Sequence, residues 1–186
     1  MASVPRQKTP MRAGVALGSN LGDRLANLRA ARKAIVDLVR HRTDSPWRAG
    51  VAPPILASPI YETEPVGCEP GAQEFLNAVL EFEYKGEPTV LLERLLQIEQ
   101  LLGRERNHPS NMSRNIDIDL LYFGGIEIDN KKLQVPHPRL HLRKFVLQPL
   151  ADIRPDLIPP NQTKSVRELL ARVDNSRKVS RFKDQW

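Results

Sequence analysis

The run Ile116-Asp117-Ile118-Asp119-Leu120-Leu121-Tyr122-Phe123 leaves this chain few ways to fold. Its β-branched, aliphatic and aromatic residues describe a buried strand, a setting in which Asp is disfavoured. Side chains at i and i+2 of a strand share a face, and two steps of about 3.3 Å put their Cβ atoms roughly 6–7 Å apart. The carboxyls of Asp117 and Asp119 can therefore converge on a shared cation. One reading is a shared hard cation such as Mg2+, which takes one or two carboxylates and completes its shell with water and substrate phosphates. The other is a half-exposed strand whose solvent face is simply acidic.

The flanking residues favour the first reading. Arg104, Arg106 and Arg114 precede the pair, and His137, Arg139, Arg143 and Lys144 follow it. Guanidinium forks match phosphate oxygens, whereas a carboxylate pair attracts phosphate only once a metal has reversed its charge. No Gly-x-x-x-x-Gly-Lys-Ser/Thr loop occurs, so phosphates would fall to arginines and metal rather than to a P-loop. The lack of an evident nucleophile is no objection, because phosphoryl-type transfer works mainly by alignment and charge neutralisation.

Charge and length bound the alternatives. The formal net charge is +6, but residues 1–12 hold three basic and no acidic side chains, and residues 164–186 hold seven basic against three acidic, so the body is near neutral. A nucleic-acid-binding core would show a basic face with stacking aromatics, and aromatics are only 5% of the chain. Neither a nucleic-acid nor a membrane partner is expected, as no apolar run nears the roughly 18 residues of a span. The single cysteine, Cys68, excludes an internal disulfide and fits a reducing compartment, with the cytoplasm as the default. At 186 residues the expectation is a basic tail over 1–12, one domain over 13–173 and a charged tail over 174–186, working as a monomer.

The expected elements alternate. Residues 13–17 read as a strand, 22–40 as a helix with Asn20 as its cap, 57–63 and 75–84 as strands, and 43–54 as loop. Pro88 opens a helix whose Leu91, Leu95, Ile98 and Leu102 line one side, with Gly103 at its end. The acidic strand follows, then a hairpin pairing 126–128 with 133–135, and a helix over 165–173. Strand, helix, strand, strand, helix, strand is the order of the ferredoxin-like α/β (α+β) sandwich, a mainly antiparallel sheet with helices packed on it. Enzymes and RNA-binding modules both use it, so the fold alone decides nothing.

Six segments, in order, carry a resemblance: Ala16-Leu17-Gly18-Ser19-Asn20-Leu21-Gly22-Asp23, Tyr61-Glu62-Thr63-Glu64-Pro65-Val66-Gly67, Phe75-Leu76-Asn77-Ala78, Gly103-Arg104-Glu105-Arg106, residues 114–119, and Val135-Pro136-His137-Pro138-Arg139 with Arg143-Lys144-Phe145-Val146-Leu147. Across residues 13–158 the chain resembles the 6-hydroxymethyl-7,8-dihydropterin pyrophosphokinases of folate biosynthesis. The resemblance implies transfer of pyrophosphate from MgATP to the pterin hydroxymethyl group with release of AMP. Asp117 and Asp119 would hold two Mg2+ ions. Arg104, Arg106, Arg114, His137, Arg143, Ile118 and Glu99 would serve the nucleotide. Thr63, Pro65, Val66, Phe75, Asn77 and Phe145 would form the pterin pocket, where a buried Asn77 must find backbone or ligand partners for its amide.

The chain departs from that pattern at Asn107-His108-Pro109-Ser110-Asn111-Met112-Ser113, where many members carry a basic residue and Trp-Gly-Pro. The longer 41–56 segment, with Trp47 and Arg48, is the expected substitute. A paralogue that binds nucleotide or pterin without transfer, and an RNA-binding ferredoxin-like module, are the alternatives from other classes.

Overall fold

The computed structural model describes residues 9–40, 54–65, 71–103, 113–174 and 178–186. Expectations for Arg104, Arg106, Val66, Cys68, Trp47 and Arg48, and for residues 107–112, lie outside these residues.

Strand β1 (Met11–Ser19) leads to helix α1 (Arg24–Arg40), then to the short β2 (Leu56–Ala57), β3 (Ile60–Thr63) and β4 (Phe75–Tyr84). Helix α2 (Pro88–Leu101) precedes β5 (Asp117–Phe123). A small hairpin, β6 (Ile128–Asp129) with β7 (Gln134–Val135), comes next, followed by α3 (Lys144–Ile153), α4 (Val166–Leu170) and β8 (Val179–Lys183). The main sheet runs β5-β1-β4-β3-β8, with β2 on β4, and all of its pairings are antiparallel. The first four strands of that order are the ferredoxin-like sheet.

Alternation sorts the two faces. On one side Val15, Leu17, Ala78, Leu80, Phe82, Ile118 and Leu120 meet Leu28, Ile35, Leu91 and Leu95 of α1 and α2 in the larger core. On the other, Val79, Leu121 and Tyr122 meet Val146, Leu147 and Leu150 of α3 and Val166 and Leu169 of α4. Gly14 pairs with Tyr122 and Val15 with Leu120, so Leu121 is an extra residue in β5 and the alternation shifts there. Gly14 is required at this point, because a Cβ would lie 2.2 Å from the Tyr122 ring. The Tyr122 hydroxyl, beneath α3, donates to Glu81 at 2.6 Å. Glu81 also accepts from Arg12 at 3.2 Å and from Arg154, just past α3, at 2.8 and 2.5 Å.

Helix α3 and strand β8 extend the expected sandwich. Pro149 lies inside α3, where it removes the donor to the Phe145 carbonyl and interrupts any helical reading of the sequence, yet the burial of Val146, Leu147 and Leu150 holds the helix together. Within the segment expected to be a charged tail, residues 179–183 pair with β3, Val179 opposite Thr63. Beyond it the Trp186 indole donates to the Ser58 carbonyl at 2.8 Å, and the Arg32 guanidinium lies 5.1 Å from the ring centre. Asn20 is not the cap of α1. That position belongs to Asp23, whose Oδ1 accepts from the Ala26 N–H at 3.0 Å.

Candidate active site

The central strand β1 sets the site's geometry. Gly18 is paired with Asn77 of β4 on one side and with Asp117 of β5 on the other, and Ala16 is paired with Asp119. The two small residues keep the sheet's floor low between the larger side chains. A Cβ on Gly18 would come within 3.1 Å of Asn77 Oδ1. Asp117 and Asp119 do share a face, the one carrying α3, with their side chains 27% and 36% exposed.

Each aspartate has a cation. Arg114 reaches Asp117 Oδ1 at 3.0 Å, and Arg143, at the N-terminal edge of α3, reaches Asp119 Oδ2 at 3.1 Å. The Arg143 guanidinium also sits 5.4 Å from the centre of the Phe145 ring. His137 Nε2 is 3.7 Å from Asp119. Its Nδ1 accepts the Arg139 N–H at 3.1 Å, which leaves the proton of a neutral ring on Nε2, toward the carboxylate. Burial, aided by Arg143 and Arg139, lowers the imidazole pKa despite the opposing pull of Asp119.

Glu99 works from beneath. It is 1% exposed, and its Oε1 accepts the N–H of Ile118 at 2.7 Å, between the two aspartates. It thus braces the strand that presents them. Ile118 puts its side chain into the core, leaving only its backbone to the surface of the site.

Two clefts meet at the pair. The first, about 110 Å³, is lined by Thr63, Phe75, Asn77 and Phe145 with Arg114 and both aspartates. Asn77 Nδ2 donates to Thr63 Oγ1 at 2.7 Å, so its partner is a side chain rather than the expected backbone or ligand. Glu64 lines this cleft, whereas the half-buried Pro65 does not. The second cleft, about 570 Å³, wraps around the β5 edge and takes in Asp117, Asp119, His137, Arg139, Lys131 and Lys132. Lys144 lines neither cleft. The lysines are residues that the sequence reading passed over as hairpin turn. Their signal was two adjacent cations on a hairpin immediately after an acidic strand.

Among the described residues no third carboxylate, histidine or cysteine joins the aspartates in a closed metal cage. Two carboxylates without further protein ligands suit Mg2+, which retains waters and phosphate oxygens, better than a structural ion. A family model described as 7,8-dihydro-6-hydroxymethylpterin-pyrophosphokinase (HPPK) matches residues 14–155. The chain belongs to this family. It is 43% identical over 139 residues to the Bacillus subtilis 2-amino-4-hydroxy-6-hydroxymethyldihydropteridine pyrophosphokinase, covering 75% of each chain. With the Methylorubrum extorquens enzyme of the same name, identity is 39% over 165 residues, covering 89% of this chain and 95% of that one. Its fold matches the Plasmodium falciparum HPPK-DHPS crystallised with pterin and p-hydroxybenzoate, with a TM-score of 0.63 and 15% identity. That match covers 90% of this chain but only 44% of the longer one. Among the described residues no helix is long and apolar enough to cross a membrane.

Proposed function

We propose that this HPPK-family chain transfers the terminal pyrophosphoryl group of MgATP to the hydroxymethyl oxygen of 6-hydroxymethyl-7,8-dihydropterin, releasing AMP. The observation that carries the assignment of sites is that one carboxylate pair lines two clefts, aromatic and amide side chains joining it in the first and Lys131, Lys132, His137 and Arg139 in the second. The aromatic and amide cleft suits a flat heterocycle. Phe75 and Phe145 offer apolar surface, and Asn77, with its amide nitrogen held by Thr63, presents Oδ1 as an acceptor to the ring's N–H groups. The larger cleft suits a nucleotide, with Leu92 and Leu96 as an apolar wall for the base and Lys131, Lys132, Arg139 and His137 toward the phosphates.

In the reaction the hydroxymethyl oxygen bonds to the β-phosphorus and its proton passes to solvent, while the bond from that phosphorus to the oxygen bridging the α-phosphorus breaks and that oxygen leaves with AMP. Asp117 and Asp119 would hold Mg2+, two ions in our reading, and bound metal would neutralise phosphate charge and polarise the attacking hydroxyl. Arg114 and Arg143 would move from the carboxylates toward phosphate oxygens as ligands enter, supplying charge where it develops. Glu99, which accepts the Ile118 N–H, would hold the strand that presents the two aspartates. Neither a nucleophile nor a covalent intermediate is needed.

The test is incubation with ATP, Mg2+ and the reduced pterin, with nucleotide products resolved. AMP formed in step with pterin pyrophosphate is expected. ADP would mean ordinary phosphoryl transfer on a similar site, and no product would return the chain to a binding role.

A further inference from the structure

Asn20 belongs to no strand or helix and is 1% exposed. Its side chain connects three stretches of chain that are distant in sequence. Oδ1 accepts the Arg114 N–H at 2.8 Å, and Nδ2 donates to Ser113 Oγ at 3.0 Å and more weakly to the Gln73 carbonyl at 3.4 Å. Its own N–H donates to the Arg114 carbonyl at 3.2 Å. Both backbone polar groups of Arg114 are therefore held by a single residue, while its guanidinium grips Asp117. Gln73 stands two residues before Phe75 of the first cleft.

We propose that Asn20 is a positioning residue for the transfer reaction: it fixes the backbone of Arg114 so that the guanidinium is delivered to the aspartate pair. A buried amide needs partners in any case. What sets this one apart is that its partners are the main chain of a site arginine and the entrances to both β4 and β5, rather than its own turn. The inference rests on the reading of Arg114 and Asp117 as phosphate- and metal-facing groups.

A double-mutant cycle with Arg114 separates positioning from general support. Asn20→Ala should lower kcat on the order of 10²-fold, the scale of a misplacement near 1 Å, and in an Arg114→Ala background the same change should cost less than about threefold. Losses that multiply would overturn the proposal. Hydrogen exchange gives a second readout, with the Arg114 amide protected in the wild type, unprotected in Asn20→Ala and protected again in Asn20→Asp, whose carboxylate keeps the acceptor. Asn20→Asp should regain more than half of the lost logarithm of kcat, and an impairment equal to that of Asn20→Ala with the amide still protected would refute the route through Arg114. If Asn20→Ala does not fold, Asn20→Asp and Ser113→Ala carry the test. Ser113→Ala removes one partner of Nδ2 but spares Arg114, so it should cost less than about threefold, and a loss near 10²-fold would refute the proposal. Asp117→Asn is measured alongside. Full activity in that variant sinks the metal reading, whereas an inactive Asp117→Asn with multiplying losses in the cycle sinks only the role of Asn20.

Discussion

Two sets of carboxylates stand on the same face of this sheet, and they are built for opposite ends. Glu81 on β4 is 4% exposed and is met by the Tyr122 hydroxyl, Arg12 and two nitrogens of Arg154. Asp117 and Asp119 on β5 are about a third exposed, and the arginines on them approach from the rims of open clefts. Burial raises the carboxyl pKa of Glu81, with Tyr122 and Arg12 drawing it back down. The same chemistry, arginine on carboxylate, thus closes one end of the sheet and leaves the other able to exchange partners. Charge pairing by itself does not mark a functional site; access does.

The largest expected effect falls on the open end. Asp117→Asn or Asp119→Asn is nearly isosteric and should lower kcat by about 10³-fold or more, with the melting temperature unchanged within a few degrees. Steady-state kinetics and calorimetry on the same sample check both halves, and near-wild-type turnover would erase the distinction. At the closed end the pattern should invert. Glu81→Ala should cost about 2–3 kcal/mol, less than a fully buried pair because its arginines are partly exposed, while kcat at a permissive temperature stays within threefold of wild type. Denaturant unfolding measures it.

Smaller effects sharpen the comparison. Gly18→Ala sets a methyl 3.1 Å from Asn77 Oδ1, so the pterin KM should rise by about tenfold with the ATP KM unmoved. An equal rise in both would show that the clefts are not independent. The smallest effect is electrostatic and lies outside both clefts. Tyr61 donates to Asp152 on α3 at 2.6 Å, and burial together with that carboxylate pushes its phenol pKa from 10.0 up to about 12. The folded chain holds this proton more tightly than the unfolded one, so the stabilisation is complete below pH 10 and is lost as the pH rises toward about 12. Tyr61→Phe should remove about 1 kcal/mol at neutral pH and flatten that alkaline loss, as followed by tyrosinate absorbance and unfolding.

Much of this was legible in the residues. The 75–84 strand, the Pro88 start of α2 and the common face of Asp117 and Asp119 follow from local rules of alternation and capping, and the structure has them. What escaped is non-local. Helix α3 is obscured by Pro149 and secured by apolar contacts from the sheet, and β8 reads as solvated charge until β3 offers an edge to pair with. Asn20 looked like a cap because Asn beside a helix start usually is one. Its actual partners, at positions 73, 113 and 114, are 53 to 94 residues away. The lysines at 131 and 132 face the site only because the hairpin folds back along β5. A strand's own sequence records which way its side chains point, but not which distant segment will arrive beside them.

The row Asn77, Gly18, Asp117 runs perpendicular to the strands, so its length is two inter-strand spacings of about 4.8 Å each. It behaves as a gauge. The distance from the group proposed to hold the acceptor ring to the group proposed to hold the metal is written in backbone hydrogen bonds, which no side-chain substitution can lengthen. On the proposed assignment, selection among acceptors would be partly a matter of reach: a ring whose hydroxymethyl arm sits at another position would fill the first cleft and still fall short of the phosphorus.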